Sequence, residues 1–176
     1  MLDIPLDEDE ATPVVVSSEK MNAEQRQFAQ GVHCGEFALA FNFEWARQIL
    51  DEFELVPIPR APSWVLGAVS ASGLILPVVD IANYFSGLEE PAQLLRGQRL
   101  LVGGIHAEDA EGALAIAFSL SPVQLDYFRQ SVDTSTLPTR LQDVCISAVS
   151  DHAGKIFLEI DTVQLMVALS AELSAI

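Results

Sequence analysis

The sequence predicts a mainly β protein built from two similar small barrels, and three observations carry that expectation. Apolar residues alternate over short runs bounded by glycine and proline, the pattern of half-buried strands. A unit of about 80 residues recurs along the chain. Short strands at this spacing favour closure into barrels, which removes exposed edges. The repeat is legible at three places. Gly35-Glu-Phe-Ala-Leu-Ala-Phe41 echoes Gly112-Ala-Leu-Ala-Ile-Ala-Phe118, Ala68-Val-Ser70 returns as Ala148-Val-Ser150, and Leu74–Phe85 returns as Lys155–Met166 with Asp161 where Asp80 stood.

Taken in order, Met1 to Glu24 holds seven acids against the single base Lys20. Residues 1–25 are expected to be a flexible acidic tail whose one apolar patch, Val14-Val15-Val16, suits an added edge strand or a docking peptide. The domain proper spans 26–173, in pseudo-repeated halves of approximately 26–88 and 97–173. Phe28 to Phe41 reads as a hairpin turning at Gly35-Glu36. Asn42 can cap a helical turn over Phe43 to Gln48, and Ile49 to Val56 returns to an extended strand. Pro57, Pro59 and Pro62 stiffen the approach to a run from Trp64 to Val69. Ser70-Ala71-Ser72-Gly73 supplies a tight turn into a second run, Leu74 to Val79, where Pro77 marks an edge or a bulge. Asp80 then caps a short helix, Ile81 to Phe85, ended by Gly87. Leu88 to Gly97 is a polar junction, Arg99 to Ile105 a strand and His106 to Gly112 an acidic turn. Ser119 to Thr139 is a polar connection with a helical turn around Val123 to Phe128. Thr162 to Leu173 has helical spacing, with Val163, Leu165, Met166 and Leu169 as its buried face.

Composition narrows the function. A chain of 176 residues, half of them apolar, is long enough for one domain with a real core. A formal charge of −16 and a pI of about 4.2 argue against nucleic acid and against an anionic membrane surface. No apolar run reaches the roughly 18 residues needed to cross a bilayer, so no membrane insertion is expected and a cytoplasmic location is. No Gly-x-Ser-x-Gly, phosphate-binding loop or His-Glu-x-x-His occurs, so the chain is not expected to be an enzyme and no cofactor is implied. Cys34 and Cys145 read as reduced core thiols. His33 and Cys34, adjacent on a strand, point to opposite faces and cannot readily share a metal, so no metal site is expected. A hydrolase or transferase reading requires convergence of at least two of His33, His106, His152, Cys34 and Cys145.

The stretch Ile58 to Asp80 resembles a known family. Pro59 and Pro62 followed by Val65, Gly67 and Val69, a turn ending at Gly73, and Leu74-Ile-Leu-Pro-Val-Val-Asp80-Ile81 are similar to the signature of CheW-like domains, the adaptors of bacterial chemosensory arrays. The similarity runs from about Arg26 to Leu169. It implies two five-stranded, SH3-like β-barrel subdomains with short helices around a shared apolar seam. It further implies a non-catalytic adaptor in signal transduction that joins a chemoreceptor, a methyl-accepting protein, to a CheA-type histidine kinase of a two-component system. Ala46, Gln48, Trp64, Gly67, Val69 and Ser72 are the partner-binding positions it indicates.

Two departures stand out. The family turn reads Asn-Leu-Arg-Gly where this chain has Ser70-Ala71-Ser72-Gly73, and Val-x-Glu becomes Ala46-Arg47-Gln48. The missing Arg and Glu suit the two halves of one ion pair beside the receptor groove, removed together because a lone charge would be costly. An accessory pathway, such as one serving a type IV pilus, is therefore the expected setting. The alternative is a ligand-sensing β-barrel module with a small molecule in the cleft between the halves.

Overall fold

The structure is a computed structural model that describes residues 27–104, 112–127 and 129–175. The acidic tail, most of the turn expected over 106–112, and Phe128 lie outside the described residues. The elements are β1 (Gln27–Cys34), β2 (Phe37–Asn42), β3 (Ala46–Leu50), β4 (Val65–Ala71), β5 (Leu74–Val79), α1 (Ile81–Ser86), β6 (Arg99–Gly103), β7 (Leu114–Tyr127), α2 (Thr139–Gln142), β8 (Cys145–Ser150), β9 (Ile156–Ile160) and α3 (Thr162–Leu173).

Pairing sorts the strands into two sets of five. In the first, the order is β4-β5-β7-β6-β3, and Val56, a few residues past β3, pairs back with Ala68 of β4 through N–H···O contacts of 2.8 and 2.7 Å. In the second, the order is β8-β9-β2-β1-β7, and Gln130, just past β7, pairs back with Ala148 of β8 at 2.9 Å in both directions. Each set thus closes on itself into a small barrel through a single two-bond bridge, which gives the outer strands β4 and β8 a second partner. β7 serves both. Its pairing with β6 ends at Phe118, and its pairing with β1 runs from Ser119 to Tyr127. The crossover coincides with a register shift between Gly31 and His33 and with Leu120 at φ 63°.

The barrels are not the consecutive halves 26–88 and 97–173. β6 and the start of β7 complete the first barrel, and β1 and β2 complete the second. A sequence repeat marks which local units are alike, but a strand joins whichever sheet offers it an unpaired edge, and that choice is made in three dimensions.

Three apolar clusters follow from the closure. Val69, Leu76, Val78, Leu100 and Val102 fill the first barrel, and Ala29, Ala40, Leu125, Val149 and Phe157 fill the second. The largest lies in the seam between them, where Phe41, Trp45, Trp64, Phe85, Phe118 and Leu165 meet. Ring contacts order this seam. Phe41 stacks on Trp45 at 5.3 Å, while Trp64 meets Tyr84 edge-on at 5.2 Å. Arg140 of α2 ties the helices together: its guanidinium lies 4.6 Å above the Tyr84 ring, donates to the Tyr84 carbonyl at 2.9 Å and pairs with Glu172 of α3 at 2.9 Å.

The strand, Asp, helix unit appears twice as expected. Asp80 accepts a hydrogen bond from Asn83 N and Asp161 from Gln164 N, each at 3.0 Å, and each Asp N–H donates 2.8 Å to the seam residue opposite, Trp64 or Val144. Gly87, at φ 65°, ends α1.

Four expectations change. Asn42 caps no helix: its Oδ1 accepts from Glu44 N at 2.7 Å in a tight turn, and β3 already starts at Ala46 because β6 supplies a partner. Regular pairing in β3 stops at Leu50 rather than running to Val56. Val123 to Tyr127 is strand, because Val123 and Leu125 alternate with Gln124 and Asp126 and Leu125 is buried inside the second barrel. In α3 the buried positions are Leu165 and Leu169, whereas Val163 is 69% exposed.

Candidate functional site

The hairpin β4–β5 turns on Ser72 and Gly73, both with positive φ (51° and 77°), the two-residue turn whose twist matches its strands. This turn reaches across the barrel to β3, where the Ser72 hydroxyl lies 3.4 Å from Gln48 Oε1 and donates to it. Both residues are exposed. The two positions where the resemblance implies an ion pair are therefore neighbours on the surface, held here by a neutral hydrogen bond.

A strip of apolar surface flanks this pair. Cross-strand partners share a face, so Val56, Ala68 and Pro77 line up across three strands, with Ser70 and Ile75 as the next rung. Ile75 is 81% and Val56 55% exposed. Inward positions of the same hairpin, Val69 and Leu76, are buried. Sequence reasoning missed Val56 and Ile75. The signal was the alternation of β5, where Leu76 and Val78 take the inner face and leave Ile75 outside.

The other indicated positions present no side chain to a partner. Ala46, Trp64 and Val69 are buried, Trp64 against Tyr84 in the seam and Val69 inside the first barrel. Gly67 is buried at φ 151°, and a Cβ there would come within 2.5 Å of the Val56 carbonyl, the atom that closes the barrel. A charge at Gly67 would break that closure rather than a partner contact.

The candidate reactive residues stay apart. Cys34 is fully buried in the seam, where burial, with Asp80 nearby, pushes its thiol far up, and burial also raises Cys145. His33 points the other way, edge-on to Phe157 at 5.5 Å; burial, with Lys155 adding to it, lowers its pKa. His152 is exposed and His106 lies outside the described residues. Among the described residues no cluster of three or more His, Cys, Asp or Glu could hold a metal.

Two clefts open at the ends of the seam. One, of about 510 Å³, lies between the β1–β2 turn, α1 and the middle of β7; the other, of about 460 Å³, lies between Asn42, Trp45, Gly104 and the first turns of α3. A polar cluster that sequence reading also missed sits in the second barrel. Glu159 is buried, bound by Arg129 at 2.9 and 3.0 Å and by the Ser147 hydroxyl at 2.6 Å. The signal was an acid two residues from Phe157, on the inward face of β9.

Residues 30–116 match the family model of CheW-like domains. These residues belong to the CheW-like domain family. The match covers β1 from Gln30, β2 to β6 with α1, and the shared strand β7 up to Ile116. Around the CheW-like core the fold agrees with the crystal structure of the scaffolding protein TtCheW from Thermoanaerobacter tengcongensis, with a TM-score of 0.56 at 13% identity over 77% of this chain and 84% of that one. No curated protein matches by sequence. Among the described residues no helix is long and apolar enough to cross a membrane.

Proposed function

We propose that this CheW-like protein is a non-catalytic cytoplasmic adaptor of a bacterial chemosensory pathway, coupling chemoreceptors to a CheA-type histidine kinase. The observation that carries this reading is the adjacency of Gln48 and Ser72 on the exposed face of the first barrel. A fold likeness to a scaffolding protein supports the same role. The strip Val56, Ala68, Pro77 and Ile75 is the kinase-facing contact in this reading, since buried apolar anchors supply most of the affinity of such interfaces. The neutral Gln48–Ser72 pair retunes the receptor side, which suits an accessory system such as one serving a type IV pilus.

Co-purification with the CheA-type kinases and receptors of the same cell tests the proposal. Ile75→Asp should abolish kinase capture while leaving the fold intact, because the side chain it replaces is exposed. The double variant Gln48→Glu, Ser72→Arg should strengthen capture of a standard flagellar receptor. If the native protein captures no kinase and no receptor, the adaptor reading falls.

A further inference from the structure

Of the two clefts at the ends of the seam, the one of about 510 Å³ holds polar groups that the adaptor reading leaves unused. Its size suits a small molecule. The β1–β2 turn is held so tightly against α1 that a Cβ at Gly35 would come within 2.7 Å of the Ala82 Cβ. That approach brings two carboxylates into one cleft, Glu36 from the turn and Asp80 from the head of the helix. Asp80 spends one oxygen on Asn83 N at 3.0 Å; its other oxygen and the Glu36 carboxylate find no donor among the described residues. No Lys, Arg or His lines the cleft. Arg99, next in the chain to the lining residue Gln98, commits its guanidinium to Asp51 at 3.2 Å and to the Leu120 carbonyl at 3.1 Å.

A third acceptor in the same lining is independent of the acids. Asn83 is 8% exposed, and its Nδ2 donates to the carbonyls of Glu90 at 3.1 Å and Ser63 at 3.5 Å, neither of which borders the cleft. The opposite end of the carboxamide, Oδ1, is therefore the one left on the cleft side, and it has no donor among the described residues. The lip is apolar. Leu88 and Leu95 stand 56% and 63% exposed there, each fixed through its backbone: the Leu88 carbonyl accepts from the Ser63 hydroxyl at 2.6 Å, and Leu95 N donates to Gln98 Oε1 at 2.8 Å. Unpaired acceptors beside ordered, exposed leucines call for a ligand with a cationic head and an apolar arm.

We propose that this cleft binds a small alkylammonium cation, aliphatic or arylalkyl. The ammonium group donates to Glu36, to the free oxygen of Asp80 and to Asn83 Oδ1, and the apolar arm lies against Leu88 and Leu95. Such a ligand bridges the β1–β2 turn and α1. This inference stands apart from the adaptor reading, because it concerns a small molecule and holds whatever proteins the chain meets.

Titration of the isotope-labelled full chain with phenethylamine, a cation at neutral pH, tests it by NMR. The backbone signals of Gly35, Glu36 and Ser86 and the side-chain amide of Asn83 should shift together along one saturable curve. Phenethyl alcohol, which has the same arm and no charge, should bind at least about two-fold more weakly. Glu36→Gln, at an exposed position where the fold is not at stake, should weaken the amine by about two- to five-fold, the range of one surface ion pair. Ser86→Phe, an exposed lining position whose new ring fills the cleft, should abolish the shifts. Shifts that do not saturate, or that are equally large at Glu52 and Glu54 outside the cleft, would overturn the proposal, since any acidic surface would then serve. So would equal binding of the alcohol, or undiminished binding of the amine by either variant.

Discussion

In the first barrel a register shift between Val65 and Gly67 sets Gly67 opposite Val78; at the same place in the second, between Cys145 and Ser147, Ser147 stands opposite Glu159. Both barrels close through a pair of hydrogen bonds to an alanine, Ala68 or Ala148. Yet the first interior is purely apolar at this level, while the second holds a carboxylate gripped by Ser147 and Arg129. Closure therefore constrains the backbone and leaves the filling open. Where Gly67 lets the crossing strand approach, the neighbouring side chains are apolar; where Ser147 stands, its hydroxyl donates to Glu159 from inside. The family match takes in most of the first barrel, stopping short of Ala117 and Phe118 in its β6–β7 pairing, and from the second only β2 and most of β1.

The comparison can be broken at several points. The largest effect is expected in the seam, where Trp64 and Val144 occupy equivalent sites opposite the two capping aspartates. Trp64→Ala should cost about 3–5 kcal/mol of unfolding free energy, and Val144→Ala distinctly less, as read from urea denaturation. Equal costs would mean that the two sites are not equivalent in packing.

Next come the bulge positions. Gly67→Ala should destabilise by about 2–3 kcal/mol, because the added Cβ meets the Val56 carbonyl and φ is positive. In the second barrel, Arg129→Ala should cost about 3 kcal/mol by leaving the buried Glu159 carboxylate short of its strongest donor. Giving the second barrel the filling of the first, Ser147→Gly with Glu159→Val, should recover most of that loss in the Arg129→Ala background. Failure to recover would show that the polar cluster does more than satisfy itself.

A smaller effect follows pH. The His33 pKa is lowered from 6.5 by burial first and by Lys155 second. Below about pH 6.5 the unfolded chain therefore binds the proton more readily than the folded one, and stability falls as pH drops from there to the folded pKa. His33→Phe should flatten that part of the profile, measured as the urea midpoint against pH. The smallest effects belong to the caps. Asp80→Ala and Asp161→Ala should each cost about 1 kcal/mol, with Asp80 the costlier because its bond is partly buried.

Much of this was legible in the residues. The hairpin with its turn within Ser70 to Gly73, both aspartate caps, Gly87 as a helix stop and the span of α3 are set by local chemistry: turn dihedrals, an oxygen near free N–H groups, a spacing that suits a helix. The adjacency of positions 48 and 72 was accessible too, but only through a family resemblance. Other features were not. Val69 and Ile75 are both apolar on neighbouring strands, and only the direction of the pleat makes one core and the other surface. Trp64, one of the indicated partner-binding positions, is buried against Tyr84 in the seam, which its place in the sequence did not reveal.

The sequence by itself determined the β4–β5 turn, the Asp80 and Asp161 caps, the stop at Gly87 and the likeness of two units, because each depends on residues close in the chain. Tertiary structure alone decided that β7 belongs to both barrels, that β1 and β2 close the second, and that Glu159 and Arg129 meet. Those outcomes depend on which edges and faces remain open once the other strands have paired, a quantity that no local stretch of sequence contains.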